Sequence, residues 1–325
     1  MFALTRRVLN KSAAALLVSP SFARAEVGIY PRVIEHSFGR TEVRWTPRRL
    51  VTIGYGDEAP FLALGHKPVG IVYSGMFPSG MTPWCEQKFG AQKPELLDGG
   101  MIDFEDIARL KPDLIVGVFS QLDAVSYGRL SQIAPTIAYR SGPWRAEWRE
   151  QTEIAGAILG LDDRARQLID ETERLLRSYG DAYPALKGKS FTFGSYFAGS
   201  SRIVVYLPGE TRVDWMIEIG MRPSRGVRRL AEAGGGHVSS DASLEDLESV
   251  AADLLVMWYE PGARSALESQ SLFQMFSPVR QGRYVALDDP TEIWAASWPS
   301  VLAIPYAFPG FLPRLADAAK NSERQ

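Results

Sequence analysis

The side chains of this chain that could do chemistry are mostly rings, and they gather where strands and loops meet. Tyr55, Tyr73, Trp84 and Phe119 fall in the first half; Tyr196, Trp258, Tyr259, Trp294 and Trp298 fall in the second. Such rings supply apolar area and stacking. They suit the holding of an organic molecule better than the making or breaking of bonds. The residues that metal binding needs are scarce. His36, His66 and His237 stand singly, and Cys85 is the one cysteine. A transition-metal site wants several His, Cys or carboxylates converging, so a zinc or manganese centre is not expected. There is no Gly-x-Ser-x-Gly elbow, no phosphate-binding glycine loop and no dinucleotide fingerprint. The expectation is non-covalent binding, with no catalytic residue, no resident metal and no cofactor.

Two stretches position these rings. Asp103-Phe-Glu-Asp-Ile-Ala-Arg-Leu-Lys-Pro-Asp-Leu-Ile-Val116 is echoed by Ser243-Leu-Glu-Asp-Leu-Glu-Ser-Val-Ala-Ala-Asp-Leu-Leu-Val256, with five positions identical. Each predicts a helix cap, a short amphipathic helix, a turn and a buried strand. Asp103 and Ser243 are good N-cap residues, and the acids behind them suit the positive end of a helix dipole. The runs at 114–118 and 254–258 lack alternation, as strands covered on both faces of a parallel sheet do. One unit used once in each half predicts an α/β fold of two Rossmann-like lobes with a cleft between them. Ligands in open α/β sheets lie beyond the carboxyl ends of the strands. Tyr55, Tyr73, Phe119 and Trp258 follow or end predicted strands, so the cleft should have aromatic walls.

The strongest helical pattern lies between the halves. Ala165, Leu168, Ile169, Leu175, Leu176 and Tyr179 keep a 3.6-residue period, and Gly180 is read as its stop. This predicts an N-terminal lobe at 47–160, an interlobe helix at 161–183 and a C-terminal lobe at 184–325. Residues 26–46 read as a peripheral arm. A long loop is expected from Tyr73 to Gly100. A final helix is expected from Pro299 to Ala319, bent at Pro305 and Pro309.

Residues 1–25 read as a secretory signal. A charged start with Arg6-Arg7 and Lys11 precedes a short apolar run and Ala23-Arg24-Ala25, a small-x-small cleavage site. The arginine pair resembles a twin-arginine signal. The apolar run is shorter than the ~20 residues a membrane span needs. Cleavage after Ala25 would release a periplasmic chain, and no cysteine near that site points to a lipid anchor. It would also remove four basic residues and no acidic ones, leaving 36 − 4 = 32 basic against 38 acidic residues, a net charge of −6. That balance argues against nucleic acid and anionic membranes as partners. A monomer is expected.

The order of motifs resembles the periplasmic substrate-binding proteins for ferric siderophores, haem and vitamin B12, most closely the ferric-hydroxamate branch. The resemblance rests on Arg49-Leu-Val-Thr-Ile-Gly-Tyr-Gly-Asp-Glu-Ala-Pro-Phe-Leu-Ala-Leu-Gly65, on Phe104–Ile115, on Ile133-Ala-Pro135 and on Leu272-Phe-Gln-Met-Phe-Ser-Pro-Val-Arg-Gln-Gly-Arg-Tyr-Val285. It implies two lobes joined by one rigid helix, capture of an iron-siderophore complex and delivery to an ABC importer permease dimer. It also implies that Glu105 and Glu245 are acidic rim residues that face importer arginines. Where hydroxamate binders carry an arginine before the repeat helix, this chain has Asp98-Gly-Gly-Met101. Arg140, Arg145 and Arg202 are the candidates to replace it. His237 aligns approximately with a cleft-wall tryptophan of the family, and Trp298 with a cleft aromatic. A haem- or corrinoid-binding protein of the same fold is the alternative, with His237 or Tyr55 as an axial haem ligand. A siderophore-modifying periplasmic enzyme is a remoter one.

Overall fold

The computed structural model describes residues 29–323. The predicted signal and its cleavage site after Ala25 lie outside the described residues.

The first lobe is built on a five-stranded parallel sheet. Its strands are β3 (Leu50–Thr52), β4 (Gly70–Val72), β5 (Glu95–Leu97), β6 (Leu114–Gly117) and β7 (Thr136–Ala138), in the order β5-β4-β3-β6-β7; β1 (Arg32–His36) and β2 (Gly39–Val43) precede them. Every residue of β3, β4, β6 and β7 is buried, as a sheet covered on both faces requires. Residues 32–43 are not a peripheral arm. β1 and β2 form an antiparallel hairpin whose Ile34 and Val43 join the core of this lobe. Thr41 Oγ1 donates to the Thr136 carbonyl at 2.6 Å, which ties the hairpin to β7.

The second lobe holds β8 (Ser190–Tyr196), β9 (Arg202–Tyr206), β10 (Arg222–Pro223), β11 (Ser239–Ser243), β12 (Leu254–Tyr259) and β13 (Tyr284–Leu287), in the order β11-β9-β8-β12-β13 with β10 beside the start of β8. β8, β12 and β13 run parallel, while β9 is antiparallel to β8 and β11 to β9. The fold is therefore α/β with two lobes as expected, but the second sheet is mixed.

The interlobe helix runs Asp162–Ala182, about 31 Å at 1.5 Å per residue. It buries Ala165, Ile169, Thr172 and Leu176. Gly180 does not stop it. A Cβ there would lie 2.8 Å from the Ile219 carbonyl oxygen, so the glycine allows the helix to meet the second lobe. A preceding helix, Trp148–Leu159, was not expected and packs along it. The segment 73–100 is likewise more ordered than a loop, with a helix at Pro83–Phe89 ahead of β5. The last helix runs Ala303–Lys320 and contains Pro309 and Pro313. Pro305 falls in its first turn, where a missing N–H leaves no helical bond unmade.

The lobes share packing. One continuous core cluster joins Phe77, Trp84, Cys85 and Phe89 of the first lobe to Trp215, Trp294, Phe308 and Phe311 of the second. The rings of Trp84 and Tyr306 meet 5.7 Å apart across that boundary. Among the described residues no helix is long and apolar enough to cross a membrane.

Candidate functional site

The carboxyl edges of the two sheets face each other, and the turn after β3 begins the site. Asp57 accepts hydrogen bonds from the backbone N–H groups of Val118 (2.7 Å) and Phe119 (2.9 Å). It thereby fixes the end of β6 against the turn Gly54–Gly56. Burial pushes its carboxyl up to about 7. Tyr55 projects from this turn. Burial first, and then the nearby Asp98 carboxylate, raise its phenol above the ordinary value, so it stays a neutral ring with a hydroxyl.

Rings of both lobes meet around Tyr55. Its centroid lies 5.5 Å from Trp298 at 25° between planes, a stacked pair, and 5.9 Å from Trp294. Trp294 and Trp298 lie 4.4 Å apart, and Phe77 meets Trp294 edge-on at 6.0 Å. Trp144 also meets Tyr55 at 5.9 Å, and Phe119 in turn meets Trp144 at 5.3 Å.

The second lobe contributes a cation beneath its rings. Arg212 is 8% exposed and pairs with Glu210, itself 5% exposed. Its guanidinium carbon lies 4.4 Å from the Tyr206 ring centre, 5.4 Å from Trp298 and 5.9 Å from Trp258. Its Nε donates to Ser297 Oγ at 3.1 Å. Glu210 also caps the helix Thr211–Glu218 by accepting from the Arg212 backbone N–H at 2.8 Å. Burial outweighs the Arg212 charge and holds Glu210 above the ordinary carboxylate range. Trp258 Nε1 donates to Tyr206 Oη at 3.0 Å, and Phe197 meets the Trp258 ring edge-on at 5.7 Å. The assembly is a wall of tilted rings with one compensated guanidinium behind it. It can stack on and solvate an organic ligand, and it offers no nucleophile beside a base.

The sequence-derived candidates divide accordingly. Tyr55, Trp258, Trp294 and Trp298 are brought together, with Trp294 in the inner layer and Phe119 against Trp144. Trp84 is 5% exposed, lies in the shared core and packs beneath Tyr306, so it is not a cleft wall. Tyr196 is 1% exposed and is also a core residue. The reason is strand alternation: Tyr196 pairs with Tyr259 across β8 and β12, while Trp258 pairs with Ser195, so Trp258 points to the opposite face. Tyr259, 2% exposed, bonds Tyr284 Oη at 2.6 Å and lines a cavity of about 490 Å³ between Met76 of the first lobe and Glu260, Arg264, Asp288 and Ile293 of the second. Tyr73 is half exposed and its ring lies over Gly80. His237 is exposed on a glycine-rich loop. Of the arginines considered from sequence, Arg140 pairs with Glu153 and Arg202 with Asp241, whereas Arg145 reaches the Gly236 carbonyl. Arg212, Tyr206 and Trp144 were missed. Glu210-x-Arg212 at the start of a short helix looks like a surface pair in sequence, and only the fold shows that both are buried.

Glu105 and Glu245 are exposed, one on each lobe. Asp103 accepts from the Glu105 and Asp106 N–H groups and Ser243 from the Glu245 N–H, so both copies of the repeat are capped alike. The second copy differs in being a 3₁₀ helix broken at Asp246. Among the described residues no group of three or more His, Cys, Asp or Glu is placed to hold a metal ion.

Two α/β lobes, one bridging helix and an aromatic interlobe site define a two-lobe solute-binding protein. Residues 62–291 match the periplasmic binding protein family, and the chain belongs to it. Over 279 residues it is 24% identical to the probable siderophore-binding lipoprotein YfiY of Bacillus subtilis (strain 168), the match spanning 82% of each chain. The crystal structure of PiaA from Streptococcus pneumoniae TIGR4 in complex with ferrichrome superposes with a TM-score of 0.79 at 27% identity, covering 89% of this chain and 99% of that one. Staphylococcus aureus SirA, complexed with staphyloferrin B, shares the fold at a TM-score of 0.69 and 21% identity, covering 90% of this chain and 98% of that one. The names of YfiY and of the PiaA complex describe binding of a substrate, and this chain, as a member of the periplasmic binding protein family, is a substrate-binding protein.

Proposed function

We propose that this protein captures a ferric siderophore, of hydroxamate type, in the periplasm and hands it to an inner-membrane ABC importer. The observation that carries the reading is the Arg212 guanidinium, buried under three rings and neutralised by Glu210. A tris-catecholate complex is strongly anionic and would require several uncompensated cations converging on it. A hydroxamate complex is close to neutral, and stacking with a few oriented donors suffices to hold it. The name of YfiY supports a siderophore as the ligand, and the ferrichrome bound to PiaA supports the hydroxamate type. The siderophore fills the iron's coordination shell, so the protein touches organic ligand and needs no metal-binding residues of its own. Glu105 and Glu245 serve as docking points on the two lobes, one for each half of a permease dimer, and the protein acts as a monomer.

Titration of intrinsic tryptophan fluorescence with ferrichrome, a ferric tris-catecholate and haem tests this. Saturable quenching by ferrichrome, and not by the other two at the same concentration, is the expected result. Tight binding of haem or of the catecholate alone would overturn the assignment.

A further inference from the structure

We propose that Arg145 is a ligand-binding residue that closes the cleft on the Gly236 carbonyl and exchanges that carbonyl for oxygens of the captured complex. The inference rests on the siderophore reading above and deepens it. Arg145 belongs to the first lobe and Gly236 to the second, so this hydrogen bond spans the cleft.

Four arginines compete for the role, and their partners separate them. Arg140 is held by Glu153 at 3.1 Å, Arg202 by Asp241 at 3.2 Å and Arg212 by Glu210. Among the described residues, the Arg145 side chain bonds to no carboxylate, only to the Gly236 carbonyl. A neutral carbonyl leaves the full charge of the guanidinium uncompensated, and four of its five N–H donors have no protein partner among the described residues.

The two sides of the contact differ in stiffness. Arg145 follows Trp144, a non-glycine residue at φ 57°, in the left-handed region that such side chains rarely adopt. That backbone is pinned: Trp144 N–H donates to the Ser120 carbonyl at 3.1 Å, Arg145 N–H to Gly142 at 3.2 Å, and the Trp144 ring packs against Tyr55 and Phe119. The base of Arg145 is therefore fixed beside the aromatic wall. Opposite it stands the run Gly234-Gly235-Gly236, with φ 57° and 92° at the last two. Gly234 N–H donates to the Ala231 carbonyl at 3.3 Å and His237 N–H to the Gly234 carbonyl at 3.1 Å, while Gly235 and Gly236 between them make no backbone–backbone hydrogen bond among the described residues. His237 rides on it. When the contact breaks, the loop yields and Arg145 stays aimed at the wall.

Iron-bound hydroxamate oxygens carry negative charge. A charge-assisted bond from guanidinium to such an oxygen is stronger than one to a neutral peptide carbonyl. Exchange of Gly236 for ligand is thus favourable once the ligand enters.

Stopped-flow fluorescence with ferrichrome, on wild type, Arg145→Ala and Arg145→Lys, is the test. Arg145→Ala should associate faster, since its bridge from the first lobe to the Gly236 carbonyl is then gone. It should dissociate faster still, giving an affinity about 10- to 100-fold weaker. Arg145→Lys, which keeps the charge but not the fork, should fall between. Without ligand, amide exchange across 232–238 should quicken in Arg145→Ala. An unchanged association rate, an affinity within twofold of wild type, or unchanged exchange across 232–238 would each overturn the inference. A wild-type protein that ignores ferrichrome would instead sink the siderophore reading, while the exchange measurement still decides whether the bridge exists.

Discussion

The buried pair Glu210–Arg212 allows stability and binding to be separated in one experiment. Arg212→Met removes a guanidinium that is 8% exposed and leaves Glu210, 5% exposed, without its counter-charge. Loss of one partner from a buried ion pair costs about 3–5 kcal/mol. Here the remaining carboxyl already sits in a place that burial makes hostile to its charge. Replacing both, Glu210→Gln/Arg212→Met, removes the uncompensated charge. The Gln oxygen can still accept the backbone N–H that Glu210 now accepts at 2.8 Å, so the cap on Thr211–Glu218 survives. The double variant should return to within about 1 kcal/mol of wild type. Ferrichrome affinity should not return, because the cation facing Tyr206, Trp258 and Trp298 is gone. A loss of about 10- to 100-fold is expected. Urea unfolding followed by circular dichroism reads the first quantity, and fluorescence titration the second. Wild-type affinity in the double variant would show that Arg212 is scaffold only. A double variant as unstable as the single one would show that the cost is packing and not charge.

Trp258→Ala should weaken ferrichrome binding by about 1–3 kcal/mol with only a small stability loss, since Tyr206 Oη keeps Ser195 Oγ at 3.1 Å; a large stability loss with normal affinity would refute it. Trp298→Ala should cost both binding and stability, measured by the same titration and melt, because its ring stacks on Tyr55 across the lobes. Burial raises the Glu58 carboxyl from 4.5 to about 7. A raised folded-state value means that its contribution to stability is full below about pH 4.5 and is lost as pH rises through 7, by up to about 3 kcal/mol at ~1.4 kcal/mol per pKa unit. Glu58→Gln should therefore exceed wild type in urea midpoint at pH 8 and lose most of that advantage at pH 5; an equal gain at both would contradict it. Glu105→Ala/Glu245→Ala should keep ferrichrome affinity yet fail to support uptake in cells, each single change being milder; normal uptake at normal expression would leave them as helix-capping neighbours.

The architecture was legible where burial writes a pattern into sequence. The repeat at 103–116 and 243–256 marked one unit in each lobe, and the interlobe helix announced itself by period. What escaped were elements whose apolar residues are few or interrupted. The helix Pro83–Phe89 has only seven residues. Trp148–Leu159 turns a glycine toward its neighbour, and a Cβ on Gly156 would fall 2.4 Å from the Ala165 Cβ. The site was half legible. Aromatics at strand ends could be found, but adjacent residues on a strand point to opposite faces, and one sequence does not say which face is the cleft. Trp258 and Tyr259 show this. Arg212 was invisible because its burial depends on Ser297 and Trp298, more than 80 residues away.

The helix Thr211–Glu218 carries Arg212 at its start and Glu218 at its end. Glu218 is gripped by Arg149 through two bonds of 3.0 and 2.7 Å, and Arg149 also holds Glu173 of the interlobe helix at 2.7 Å. One stiff rod, about 12 Å long, therefore links the ring-faced guanidinium to the joint between the lobes. The position of that charge is set by the joint before any ligand arrives. Little rotamer or backbone freedom remains there to be surrendered on capture, so the entropic penalty of forming this part of the complex falls on folding and not on binding.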